Sequence, residues 1–354
     1  MSDRQAASLC NIRFGEHAIT ALHNIIPLSR HSSHSTPKLP RTSSARLSEA
    51  STTQSPPQLS PEKTILYLAY GSNLSAETFK GTRGIKPLSA INVHVPNLDL
   101  TFDLAGMPYI EPCFANTRYR TQSQPSSENE EPSRSPNDYH KDRWHKGLIG
   151  VVYEVTPEDY RTIIATEGGG ASYQDVVVPC YVLPDDSKTV DPQPRGPPFK
   201  AHTLLSPGSG GGRITRPDPS YAQASARYLK LLTDGAEEHN LPDEYVAYLY
   251  KLRPYTITMI RQRAGQVLFL ATWFPIVIAM VGITRLFVDE DGKIPKWLVK
   301  VMDFVFRVLW KTYDRGFKPV FGDGERTIED SDGGTEERTV GIRWCEKSVR
   351  LDTA

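Results

Sequence analysis

The chain has 354 residues, room for two domains, and its 41 basic residues are balanced by 41 acidic ones, so net charge gives no reason to expect a nucleic-acid partner. Its four cysteines, Cys10, Cys113, Cys180 and Cys345, are widely spaced and form no C-x-x-C pair, which argues against a structural zinc site or a disulfide framework and fits a reducing compartment. The histidines are scattered, so no metal site is expected.

Residues 1–60 are rich in Ser, Thr, Pro, Arg and His and lack the apolar core of a secretory signal. They are Arg- and Ser-rich like a mitochondrial transit segment, but Asp3 and Glu16 weaken that reading, and a disordered tail is expected.

The organising stretch comes next. Thr64–Leu74 reads T-I-L-Y-L-A-Y-G-S-N-L, an unbroken run of β-formers that stops at Gly71-Ser72-Asn73. Such a run predicts a buried strand, and the stop predicts a tight loop and a short helix over about 75–79. A loop of this kind exposes several backbone N–H groups together, a ready seat for a carboxylate or an oxyanion.

Ala90–Val95 and Leu98–Leu104 read as two strands joined at Pro96-Asn97, and Cys113–Asn116 as a third. The stretch 119–146 is too polar to pack a core and reads as a solvated insertion. Gly147–Val155 is a strong buried strand. Thr156-Pro157-Glu158 has the form of a helix start, and Gly168-Gly169-Gly170 ends that helix just after Glu167. A carboxylate at a helix C-terminus is disfavoured by the macrodipole, which suits it to proton transfer.

Gln174–Leu183 is the next strand, with Pro179 pointing to an edge or a bulge. A second, Pro-rich insertion fills 184–200, and Ala201–Leu205 reads as a last strand. Gly208–Gly212 is linker chemistry. It lacks the Lys-Ser/Thr and the strand–helix frame of a phosphate cradle. Tyr221–Asn240 and Asp243–Leu252 read as two helices broken at Leu241-Pro242.

Ala264–Thr284 carries no charge over about 21 residues, or ~31 Å of helix against a hydrocarbon core of ~30 Å. Pro275 in its middle is tolerated in a membrane. The segment reads as a single membrane crossing with the remaining domain in the cytoplasm. The alternative is a cytoplasmic protein in which this segment is core. Residues 296–313 form an amphipathic helix with a mostly basic polar face, suited to an anionic bilayer surface or to packing on the first domain. Residues 321–354 read as a disordered tail.

Three ordered stretches carry a resemblance: Y-G-S-N-L at 70–74, Ile164-Ala165-Thr166-Glu167-Gly168 followed by Tyr173, and Pro219-Ser220-Tyr221 with the helices through Tyr245. Together, over roughly 64–255, they resemble the γ-glutamylcyclotransferase family. The glutathione-specific sister family has Y-G-S-L at the first position. The resemblance implies an α+β fold, a small mixed β-barrel with flanking helices over 61–255, with the hydrophobic helical module 256–320 added to it.

It also implies conversion of a small γ-glutamyl substrate into 5-oxoproline and a free amine, with no cofactor. Glu167 would be the base and then the acid. Tyr67, Leu68, Ala69, Tyr70, Gly71, Ser72, Asn73 and Leu74 would contact substrate, and Tyr173 and Tyr221 would add hydroxyl donors. Two rivals remain: a γ-glutamylamine cyclotransferase, which differs only in the leaving group, and a catalytically idle, membrane-tethered binding module. Glu167 beside an intact Y-G-S-N-L argues against the idle module.

Overall fold

The computed structural model describes residues 39–52, 64–120, 144–166, 174–206, 216, 218, 221–287 and 295–328. Glu167, Tyr173, the glycine-rich 208–212 and most of the first insertion lie outside the described residues.

Five strands close into a barrel in the order β1 (Ile65–Ala69), β5 (Leu148–Val155), β2 (Ser89–Val95), β6 (Gln174–Val182) and β7 (Phe199–Leu205). All neighbours are antiparallel except β7 and β1, which close the barrel in parallel at Tyr67 and His202. β3 (Leu98–Met107) and β4 (Glu111–Tyr119) form a separate hairpin. β6 meets β2 only at Val182 and Tyr181, so Pro179 lies beyond that pairing and its missing N–H interrupts no bond to β2.

Strand alternation assigns the two faces. Leu68, Ile91, Val152, Val178 and Ala201 are buried and fill the barrel. Tyr67 is paired with Tyr153 and His202, and His202 with the exposed Val177, so this row faces outward. Helix α2 (Pro157–Thr166) and the turn after the Y-G-S-N-L loop cover it. As expected, α2 begins at Thr156, whose hydroxyl accepts from the Asp159 N–H at 3.1 Å. Helices α3 (Ala226–Glu238) and α4 (Asp243–Lys251) complete the shell.

Part of the expected tail is ordered. Residues 40–42 pair with Ala90, and helix α1 (Ser44–Thr52) buries Ala50 on the barrel. Arg46 makes this docking specific. It reaches Glu154 at 3.5 Å, a carboxylate that also accepts from Thr64 at 2.6 Å and Ser89 at 2.7 Å. So few apolar residues gave no periodic signal, and the segment is held by distant polar partners, Glu154 for Arg46 and Pro198 O for Ser51.

The C-terminal third has a core of its own. Helix α5 (Ile260–Leu286) and helix α6 (Lys296–Thr312) pack Phe269, Trp273, Val277, Leu309 and Trp310 around Tyr109 at the tip of the β3–β4 hairpin. Phe287 at the end of α5 meets Trp297 at the start of α6, with ring centroids 5.4 Å apart, while Phe269 near the start of α5 meets Tyr313 just past α6. The two helices are therefore antiparallel.

After α6 the chain turns at Gly322 (φ 94°) and returns to the barrel domain, where residues 321–328 had been expected as tail. Tyr109 is held in a left-handed conformation (φ 66°), a strain of about 1–3 kcal/mol offset by its bonds to Gly322 O and Gly324 O at 2.8 and 2.7 Å.

Candidate active site

The loop is assembled from its own strand outward. Tyr70, the last residue before it, donates to Leu204 O at 2.8 Å across the end of the barrel, so the loop sits at the barrel's mouth. Gly71 lies against α3 and β4, and a side chain there would meet the Tyr228 hydroxyl at 3.3 Å and Ala115 at 3.5 Å. Ser72–Leu74 is a single 3-10 turn, closed by Leu74 N to Gly71 O at 3.0 Å. Asn73 is buried and donates from Nδ2 to the Tyr67 hydroxyl at 2.9 Å, tying loop to strand.

Helix α3 seats this loop at one glycine. A Cβ on Gly235 would lie 2.5 Å from the Leu74 carbonyl carbon, so no other residue fits without moving backbone. Glu238, at the end of α3, accepts from Ala76 N at 2.8 Å and caps the turn Glu77–Thr82. Phe79 from that turn is fully buried and stacks on Tyr153 with centroids 4.4 Å apart. Tyr153 in turn contacts His239 Nε2 at 2.7 Å. Burial, reinforced by the nearby Lys80 charge, pushes the His239 pKa down to about 4, so the ring is neutral near pH 7.

On the other side of Tyr67, α2 lays Tyr160 between Tyr67 (centroids 6.2 Å) and His202 (5.4 Å), and His202 Nδ1 sits 2.8 Å from Asp175. Burial raises the Tyr160 hydroxyl pKa, helped by Asp175, so it stays protonated. The end of α2 is fixed by Arg83, whose guanidinium donates to the Thr166 hydroxyl with both residues buried. Arg83 also closes the turn that follows the loop through its N–H to Thr78 O at 2.9 Å. One side chain thus joins the loop's turn to the residue before Glu167.

Of the sequence-predicted residues, Tyr67, Tyr70, Gly71, Ser72 and Asn73 are brought together. Leu68 points into the barrel and Leu74 lies under Gly235, both fully buried, and Ala69 is a buried strand residue. Tyr221 is engaged elsewhere. Its hydroxyl donates to Asp323, and Lys318 lies 4.5 Å above its ring, because the chain returning after α6, residues 318–328, occupies that surface.

Sequence reasoning missed Arg83, Gly235 and a polar group at the mouth. Asn116 there donates to Asp103 at 2.9 Å and to Ser206 O at 3.2 Å, and accepts from Ser206 N. None of these carries a local motif, since each matters through a partner at least 13 positions away. Among the described residues no three His, Cys, Asp or Glu side chains converge as a metal site would require.

A closed barrel whose first strand ends in Y-G-S-N-L, with buried donors around the loop, is the scaffold of a small-molecule enzyme of the cyclotransferase class. Comparison with known proteins agrees. The chain is 31% identical over 266 residues to the gamma-glutamyl cyclotransferase gliK of Aspergillus fumigatus, covering 75% of this chain and 90% of the relative. Against the gamma-glutamyl cyclotransferase aclK of Aspergillus oryzae it is 30% identical over 278 residues, covering 76% and 93%.

Residues 259–320 match the AclK C-terminal domain model. Among solved structures, a gamma-glutamyl cyclotransferase overlaps 56% of this chain and 92% of its own at 19% identity and a TM-score of 0.37, too loosely to carry weight. The chain belongs to the γ-glutamyl cyclotransferase family, and it is an enzyme of that type acting on a small molecule.

Proposed function

We propose that this enzyme cyclises a γ-glutamyl amino acid or a similar peptide-like substrate, releasing 5-oxoproline and the free amine. The substrate's α-amine attacks its own γ-carbonyl carbon, a new C–N bond forms, and the bond to the leaving amine breaks. Both reactants belong to one molecule, so the entropy of bringing them together is largely avoided. The enzyme is left to hold the chain folded, stabilise the oxyanion, and carry one proton from the attacking to the leaving nitrogen.

In this reading Glu167 carries the proton, first as base and then as acid. The backbone N–H groups of Gly71, Ser72 and Asn73 take the substrate carboxylate or the oxyanion. Tyr67 and Tyr70 line the pocket, Tyr67 oriented by Asn73, and Tyr173 supplies a hydroxyl donor. Tyr221 is assigned to the contact with Asp323 instead. The observation that carries the reading is the Arg83–Thr166 bond, which ties the helix leading into Glu167 to the turn that leaves the loop.

The test is 5-oxoproline release from the full chain offered γ-glutamyl amino acids, γ-glutamyl amines and glutathione conjugates. Glu167→Gln should lower turnover by about 10²–10⁴-fold and leave substrate binding intact. A variant as fast as wild type removes Glu167 from the chemistry. A panel that yields no 5-oxoproline removes the reaction.

A further inference from the structure

The helix long and apolar enough to cross a bilayer does not part the chain. Thr256, just before α5, donates its N–H to the Thr327 hydroxyl at 2.9 Å, and Thr327 donates in turn to Pro254 O at 3.3 Å. Gln262, in the first turn of α5, donates to Asp323 O at 2.8 Å, and the Thr258 hydroxyl to Ile328 O at 3.1 Å. The strands of chain entering and leaving the hairpin are zipped together, so both stand on one side of any membrane. The expected single crossing would separate them.

The hairpin's surface is unlike that of a soluble helix pair. Along α5 the residues Gln262, Gly265, Phe269, Trp273, Val277, Met280 and Thr284, three to four apart, face inward. The outward face from Val267 to Ile283 carries Leu268, Ile276, Ile278 and Ile283, all at least 40% exposed, and no charged residue. At 1.5 Å per residue it runs for ~25 Å. A surface helix in water turns charges outward.

Helix α6 beside it exposes Trp297, Val301, Phe304 and Val308 interleaved with the exposed Lys296, Lys300, Arg307 and Lys311. The stripe is mostly basic, with Asp303 the one acid among four exposed cations on α6, and that excess of like charge disfavours a second copy of the same surface. It complements anionic headgroups, with α6's aromatic and aliphatic side chains dipping below them.

We propose that the α5–α6 hairpin is a monotopic anchor: it lies within one leaflet of an anionic bilayer and returns the chain to the side of the barrel. The anchor does not depend on the reaction assigned to the active site. Flotation of the full chain with phosphatidylcholine vesicles, with and without phosphatidylserine, reads it directly.

Wild type should float with the anionic vesicles and bind more weakly as salt rises. Ile276→Glu with Ile283→Glu, and separately Lys300→Glu with Arg307→Glu, should each weaken binding at least about tenfold while the melting curve is unchanged; the first pair replaces about 1.4 kcal/mol or more of membrane affinity. In sealed membranes from expressing cells, tags at the two chain ends should be digested together. One protected end would mean a crossing and overturn the proposal. So would a solution dimer, broken by Ile276→Glu with Ile283→Glu, that ignores vesicles.

Discussion

The barrel and the C-terminal hairpin are each built around a buried aromatic cluster, yet they finish their outer surfaces in opposite ways. On the barrel, the outward row Tyr67, Tyr153 and His202 is roofed by α2 and by Phe79, and its polar atoms are bonded to Asn73, His239 and Asp175. On the hairpin, the inward face is packed as well, with Phe269 and Leu309 fully buried, while the outer face of α5 is apolar and bare and that of α6 mixes apolar with basic side chains. A covered polar row has its partners within the fold, whereas a bare apolar face has none among the described residues.

The sharpest break in this comparison comes from Phe269→Ala. It empties the centre of the hairpin core and should cost about 3–5 kcal/mol of hairpin docking. Hydrogen exchange should rise across α5 and α6 while the barrel strands keep their protection. Equal loss in the barrel would make the two cores one cooperative unit.

The barrel's own signature is a pH dependence. With its folded pKa depressed to about 4 against an ordinary 6.5, His239 is buried neutral and the unfolded chain takes up its proton first. Stability from this group is full above about pH 6.5 and falls by about 3 kcal/mol as pH drops toward 4. His239→Gln should flatten that window in chemical denaturation, and an unchanged slope would place the proton elsewhere.

A smaller effect is expected at the seat of the loop. Gly235→Ala forces a methyl onto Leu74 backbone and should cost about 1–3 kcal/mol, with turnover falling further than stability because the loop itself is displaced. Smallest of the four is Tyr67→Phe. It removes the acceptor for Asn73 and should cost about 1 kcal/mol by thermal unfolding, together with a rise in KM if the loop loosens.

Much of the architecture was legible in the chain. The strand ending in Y-G-S-N-L, the helix opened by Thr156-Pro157, the turn at Pro96-Asn97 and the apolar run of α5 are all set by neighbours within a few positions, and they stand where periodicity and turn chemistry put them. The site was legible only where it is local. Tyr67 and Asn73 are six apart and meet as one motif. Arg83 and Thr166 are 83 apart, and no pattern near either announces the bond.

Misplaced expectations have the same origin. Residues 44–52 looked like tail because Arg46 needs Glu154, and Tyr221 looked like a pocket residue because Asp323 returns from beyond the hairpin.

By itself, then, the sequence determined the kind of element each stretch forms and the family loop at the end of β1, because propensity, capping and alternation act over a turn or a strand. Tertiary structure alone decided which faces are covered, which glycine seats the loop, and that the chain beyond α6 returns to the residues entering α5. Those outcomes rest on contacts between residues tens to hundreds of positions apart, such as Thr256 with Thr327, and only closure of the fold brings such pairs within hydrogen-bonding distance.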